Sequence, residues 1–123
     1  MPLRALSLVS GVYDAAIGVA MLFAAVPLAR LFGAPEPVPV LNAQLNGLFT
    51  LTLALGYFWA AGDVAGRRGY LWVAGVFAKG LGAALFVWDH FAHGSPTTFL
   101  LFAATDGSLA LLTLVLLSRD PRR

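Results

Sequence analysis

Three charged residues stand inside long apolar stretches of this sequence, and their types point to ion chemistry. Lys79 lies almost at the middle of the stretch 69–88, where it is the one charged residue. A lysine at the centre of a membrane-spanning helix costs about 2.5–3.5 kcal/mol on insertion scales, so another group has to compensate for it. Asp14 and Asp106, in the first and fourth apolar stretches, are the two carboxylates that can do so.

Small residues accompany these charges at helical spacing, and small residues let helices approach closely. The glycines expected to pack against neighbouring helices are Gly11, Gly18, Gly75, Gly80 and Gly82. In the third apolar run, Gly75 and Gly82 lie on one face and Gly80 on another, which predicts an inner and an outer packing seam on this helix. The charged side chains are therefore expected to meet inside a bundle. The predicted buried polar centre consists of Asp14, Asn46, Lys79 and Asp106.

The charge balance of this centre leaves two interpretations open. One ammonium between two carboxylates leaves one negative charge in excess. Either one carboxyl is protonated, with Asn46 or Tyr13 supplying hydrogen bonds, or a bound cation or water completes the set. The centre then has either a proton- or ion-linked function, since ionisable residues inside a membrane are functional candidates by default, or a structural role in setting helix register.

Four apolar runs must position these residues, and they cover about 6–29, 40–61, 69–88 and 97–117. Each is long enough to cross a hydrocarbon core of about 30 Å, which takes about 20 helical residues. Only 11% of the residues are charged, whereas a soluble domain carries about a quarter. The sequence therefore predicts one integral membrane domain over 1–123, an all-α, four-helix, up-down-up-down bundle.

The basic residues predict the orientation of this bundle. Arg4 and five others fall on one side, and Arg30 alone falls on the other. The others, which are also expected to contact lipid headgroups, are Arg67, Arg68, Arg119, Arg122 and Arg123. The positive-inside rule places both termini in the cytoplasm. Seven arginines against one lysine, with abundant Ala and Gly, are typical of GC-rich bacterial genes, so we expect a multi-pass protein of the bacterial cytoplasmic (inner) membrane.

An internal repeat relates the two halves of the chain. Residues 11–20 (GVYDAAIGVA) align without gaps with residues 75–84 (GVFAKGLGAA), so that both glycines and the aromatic residue coincide. The second and fourth apolar runs agree less well, but Asn46-Gly47 can be aligned with Asp106-Gly107. The chain is therefore interpreted as a duplicated helical hairpin, with a pseudo-axis along the membrane normal.

Several classes of site are not expected here. The chain has no cysteine, which excludes disulfides and thiolate ligands. His90 and His93 have the spacing of a metal pair, but only Asp89 accompanies them in a predicted outer loop, so they are interpreted as surface histidines. No phosphate loop, nucleophile elbow or metalloprotease motif is present. We therefore expect no enzyme activity, cofactor or metal, and the small net charge of +2 argues against nucleic acid.

Short motifs along most of the chain resemble small bacterial four-helix membrane proteins of the DoxX-like kind. The matching stretches are Gly11-Val12-Tyr13-Asp14, residues 27–33 (PLARLFG), Leu55-Gly56-Tyr57, residues 60–63 (AAGD), residues 78–82 (AKGLG) and Asp106-Gly107. This resemblance implies an up-down-up-down bundle. Some DoxX-like proteins are subunits of quinone-linked membrane oxidoreductases, so it also suggests a partner complex.

Two functions follow from these observations. The first is a non-enzymatic accessory or structural subunit that packs through Gly/Ala-rich helix faces against a larger membrane complex or against copies of itself. The alternative is a small proton- or ion-linked carrier, or a quinone- or lipid-binding module, that uses the Asp-Lys-Asp centre. Membrane lipids surround the protein in both cases. A continuous polar path from the centre to one surface favours the alternative, and a sealed centre together with a glycine-rich outer face favours the first.

Overall fold

The computed structural model describes residues 2–119, and these residues form five helices and no strand. The helices are α1 (Leu3–Phe23), α2 (Ala25–Leu31), α3 (Val40–Ala61), α4 (Arg68–His93) and α5 (Leu100–Arg119). One turn of 3-10 helix, Thr97–Phe99, leads into α5. The prediction of an all-helical fold is confirmed.

The first apolar run folds as two helices rather than one. The backbone leaves helical geometry at Ala24, where φ is −139° and ψ is 39°. Pro27 follows three residues later, in the first turn of α2. Proline lacks an N–H, and its ring collides with the carbonyl of the residue four positions earlier, here Phe23. The chain therefore breaks just before α2 and restarts with the proline in its first turn.

The third run is longer and less regular than the predicted 69–88. It contains a π-helical segment, Leu71–Ala78, and it continues as α-helix from Lys79 to His93. Gly94 ends it with φ +69°, a left-handed conformation that glycine adopts without steric cost. The interpretation of Asp89 to His93 as a loop is wrong, because these residues form the last turn of α4.

Three segments are long and apolar enough to cross a membrane: α1, α4 and the stretch Thr97–Arg119. The fourth predicted span, α3, has sufficient length at 22 residues. It is not among the three segments, since Asn42, Gln44 and Asn46 lower the hydropathy of its first two turns. Of the four predicted spans, three are therefore confirmed as long and apolar enough to cross a membrane.

The long helices pair into two antiparallel hairpins. In the first, Gly18 of α1 lies against Gly47 of α3, whereas Ser7, further back in α1, hydrogen-bonds Tyr57, further along α3. The order of these contacts runs in opposite directions along the two helices. In the second hairpin, early α4 meets late α5 through Gly75 and Thr113, and the ends are reversed in the Phe86–Phe102 ring stack.

The two hairpins meet through three layers of different chemistry. A buried apolar cluster closes one end and consists of Tyr57, Ala60, Leu71, Ala74 and Leu117. An aromatic cluster closes the other end and consists of Phe32, Phe86, Phe99 and Phe102. Charged residues occupy the middle layer. Apolar packing on both sides buries Asp14 and Lys79 in this layer, which strengthens the electrostatic interaction between them.

Candidate functional site

Lys79 lies at the centre of the middle layer, where its ammonium group lies close to carboxylates from both hairpins. Its Nζ lies 2.8 Å from Oδ1 of Asp14 and 3.6 Å from Oδ1 of Asp106. Lys79 and Asp14 are buried, with 7% and 5% of their surfaces exposed. We call these three residues the ion centre. The sequence prediction that these charges meet agrees with this geometry.

The two carboxylates of the ion centre are not equivalent. Lys79 donates a charge-assisted hydrogen bond to Asp14, at a distance typical of such bonds. Oδ1 of Asp106 is beyond hydrogen-bond distance from Nζ. It is buried and has no hydrogen-bond partner among residues 2–119. The Asp106 side chain is 18% exposed, so Asp14 forms the close ion pair and Asp106 is its loosely held neighbour.

Two tyrosine rings complete the shell around Lys79. The centroids of the Tyr13 and Tyr57 rings lie 5.3 and 5.4 Å from Nζ. An ammonium within about 6 Å of an aromatic face is attracted by the negative face of the ring. Tyr57 is 1% exposed, and its hydroxyl has no hydrogen-bond partner in the described part of the chain. The ring face, rather than the hydroxyl, is thus what Tyr57 contributes.

Close helix contacts set the positions of these side chains. A Cβ on Gly18 would lie 2.7 Å from the backbone nitrogen of Leu51 and 2.8 Å from the carbonyl oxygen of Gly47. This approach, one turn from Asp14, sets the distance between α1 and α3. Ser7 donates a 2.7 Å hydrogen bond to the carbonyl of Tyr57, two turns before Asp14. Both contacts hold Asp14 and Tyr57 in one layer.

On α4, the π segment ends at the residue just before Lys79. A π turn contains more residues than an α turn, so it rotates the following side chains relative to a continuous α-helix. Gly75 lies inside this segment, and a Cβ there would come within 2.9 Å of Thr113. The segment and this contact together determine which way Lys79 faces. Nothing in the apolar periodicity of the run predicts the π segment.

A groove of about 410 Å³ lies between α1 and α5, beside the ion centre. Its lining consists of Val9, Tyr13, Ala104, Thr105, Ser108 and Leu109. The hydroxyls of Tyr13 and Thr105 meet there at 2.6 Å and bridge the two hairpins. Tyr13 therefore contacts the groove on one side and Lys79 on the other.

Other predicted site residues lie elsewhere. Asn46 is exposed and does not join the ion centre, so that part of the prediction is wrong. Among the packing glycines, Gly11 lies under the Phe58 ring, and a Cβ built at Gly80 would lie 3.9 Å from the Cβ of Ala110. A Cβ built at Gly82 would have no atom of another helix within 4 Å among the described residues. Helical spacing groups residues on faces without saying which face is covered, and this explains both results.

Two of the predicted headgroup arginines, Arg67 and Arg68, bind helix ends. Arg67 donates to the carbonyl of Trp59 at 2.5 Å and its guanidinium stacks over that indole, whereas Arg68 donates to the carbonyl of Leu117 at 2.6 Å. Cations near the carboxyl end of a helix bind its free carbonyls and its dipole favourably. Arg119 is exposed. Arg122 and Arg123 lie outside the described residues.

Sequence reasoning missed three contributors to this site. Tyr57 supplies a ring to Lys79, Gly47 supplies the close contact to α1, and Gly56 leaves room for the Tyr70 ring. All three residues lie in α3 and none carries a charge at neutral pH. A search that starts from charged residues therefore does not find them. Among the described residues, no group of three or more acidic, histidine or cysteine side chains could hold a metal ion.

Comparison with known proteins gives no match to a family model, to a curated protein or to a solved structure. The resemblance to DoxX-like proteins therefore stays a prediction. The chemistry of the site rests on its own geometry, which is a buried ion pair with a second carboxylate and two aromatic faces.

The role of the Tyr57 ring can be tested by paired substitutions. Tyr57→Phe keeps the ring face and removes a hydroxyl without a partner, so the free energy of unfolding should stay the same or rise slightly. Tyr57→Leu removes the ring face and should lower the free energy of unfolding by about 2 kcal/mol or more. Reversible unfolding in detergent, followed by circular dichroism, measures both. Equal losses in the two variants would show that the hydroxyl, not the ring, stabilises this layer.

Proposed function

We propose that this protein is a non-enzymatic, integral membrane accessory or structural subunit, which packs against a larger membrane complex or against copies of itself. The observation that carries the proposal is the enclosed ion pair of Asp14 and Lys79. Each side chain of this pair is 7% exposed, and the 2.8 Å hydrogen bond between them joins the two hairpins. An enclosed ion pair, in which Lys79 and Asp14 already bind each other, is better suited to fixing the register of the helices than to passing a substrate. It costs desolvation energy, so its best-supported use is specificity of assembly.

The outer surface supports a membrane environment. Large apolar side chains point outward on every long helix, such as Phe49, Phe77, Trp88 and Leu111. Exposed apolar surface of this extent requires lipid or protein contact. The connectors are short, for example 62–67 between α3 and α4, so the chain has little mass outside the helices. Partners would therefore have to bind the apolar helix faces.

The proposed topology is a four-helix, up-down-up-down bundle in a bacterial inner membrane. Although α3 is less apolar than the other three helices, it packs antiparallel along α1 and would have to cross the same layer. Its amides lie near one end, within the reach of headgroups. Arg4, Arg67, Arg68 and Arg119 lie at the opposite end of the hairpins. By the positive-inside rule, this asymmetry supports a proposed orientation with both termini in the cytoplasm.

Cysteine labelling tests this topology, because the chain has no natural cysteine. Ala92→Cys and Ala65→Cys change the same residue type at two exposed positions, at opposite ends of α4. In intact cells, a membrane-impermeant thiol reagent should label Cys at position 92 and not at position 65. After the cells are opened, both should react. Labelling of position 65 in intact cells would reverse the proposed orientation.

The function itself is tested by native purification in mild detergent. The wild type should co-purify with a membrane protein or a further copy in fixed stoichiometry, and the same assembly should form again from separately purified components. The double variant Asp14→Asn/Asp106→Asn should lose stability before it loses that partner. A stable monomer without any partner would contradict the proposal.

One observation favours the alternative, a small ion- or lipid-binding module. The groove between α1 and α5 reaches Tyr13, which contacts Lys79 directly. If the double variant folds normally but loses a bound small molecule or proton-linked flux, this alternative replaces the subunit proposal.

A further inference from the structure

The ion centre has more acidic than basic groups, and the structure shows how they are distributed. Lys79 supplies one positive charge, and Asp14 and Asp106 can each supply one negative charge. All three come from apolar helices, where an uncompensated charge costs several kcal/mol. Because the ammonium makes its 2.8 Å hydrogen bond with Asp14, that pair is already neutral. Any charge on Asp106 is therefore in excess.

Among residues 2–119, no group donates a hydrogen bond to Oδ1 of Asp106 that would stabilise a charged carboxylate. From α4, Lys79 remains 3.6 Å away. From α3, the Tyr57 hydroxyl has no partner among the described residues. From α1, the Tyr13 hydroxyl is paired at 2.6 Å with Thr105, and Asp14, the other acidic group facing this layer, adds only repulsion. A partly buried carboxylate whose enclosed Oδ1 has no donor is costly, whereas a carboxylic acid at the same place costs less.

We propose that Asp106 binds a proton, and that the ion centre is a proton-binding site whose neutral form is the ion pair of Asp14 and Lys79 beside a carboxylic acid. The site is not closed to exchange, since 18% of the Asp106 side chain is exposed, whereas its partners are almost fully buried. This inference goes beyond the subunit role, because a purely structural centre also needs the proton for charge balance.

Infrared spectroscopy of the protein in lipid vesicles near neutral pH tests the proposal. A carboxylic acid has a C=O stretching band that a carboxylate lacks, and the band moves when H₂O is exchanged for D₂O. We expect one such band per chain in the wild type and none in Asp106→Asn. Asp63→Asn, a change at an exposed connector position, is the matched control and should keep the band.

Two conservative variants assign the proton to one residue. Asp106→Glu should change the frequency of the band, and Asp14→Glu should leave it in place. A wild type without the band would overturn the proposal, because the charge would then be balanced by a bound cation or left in excess. If the band moved in Asp14→Glu and not in Asp106→Glu, the proton would belong to Asp14, and the proposal would also be overturned. The wild-type spectrum needs no substitution, so it decides the first point even where a variant does not fold.

Discussion

Lys79→Met should lower the free energy of unfolding by about 3–5 kcal/mol, the loss expected when one partner of a buried ion pair is removed. Methionine fills a similar volume, so the loss reflects charge rather than a cavity. The variant leaves Asp14 buried at 5% exposure without its cation. Reversible unfolding in mixed detergent micelles, at neutral pH, provides the measurement.

The matched control removes all three ionisable groups together. In the triple variant Asp14→Asn/Lys79→Met/Asp106→Asn, no buried charge is left without a partner, so most of the lost stability should return. Recovery would identify the buried carboxylate as the cause of the loss. If the single and triple variants were equally unstable, packing of the lysine stem would be the cause, and the ion pair would contribute little.

Gly18→Ala should lower the free energy of unfolding by about 1–3 kcal/mol, as overpacking does in well-packed interiors. The new Cβ would meet backbone atoms, the nitrogen of Leu51 at 2.7 Å and the carbonyl oxygen of Gly47 at 2.8 Å. Backbone atoms cannot rotate away as a side chain can, so α1 and α3 must separate. Asp14 lies one turn away and would move from Lys79. The same unfolding assay measures this change.

Gly82→Ala is the control, with the same substitution on the open face of α4. Apart from atoms of its own helical turns, no heavy atom of residues 2–119 lies within 4 Å of a Cβ built at Gly82. Because alanine is favoured over glycine in a helix by up to about 1 kcal/mol, stability should stay the same or rise. A loss at Gly82 as large as that at Gly18 would mean that this face is also covered in the folded protein, as it would be in a tight oligomer.

Much of this fold is readable from the sequence, because runs of about 20 apolar residues satisfy their backbone polar groups most simply as helices. All four predicted runs fold as helices. The charged residues inside three of these runs also predict that their side chains lie close together, since an isolated charge in an apolar interior is too costly to leave without a partner. That reasoning identified Asp14, Lys79 and Asp106 as neighbours.

The helix irregularities have mixed origins. Pro27 predicts a bend in the first run, because proline cannot complete a regular turn. The π segment at Leu71–Ala78 has no such marker. Contacts such as that between Gly75 and Thr113 accompany it, and these depend on how α4 lies against α5.

The sequence by itself determined the helices and the residues that carry charge, because hydropathy and ionisation are properties of single side chains and short stretches. Only the tertiary structure decided which faces are covered. Gly18 packs against the backbone of α3, whereas Gly82 packs against no other helix in the described part of the chain, although both are glycines at helical spacing. It also decided that Asp14 lies 2.8 Å and Asp106 3.6 Å from Lys79. Such differences depend on how two hairpins pack against each other, and no local pattern of residues encodes that distance.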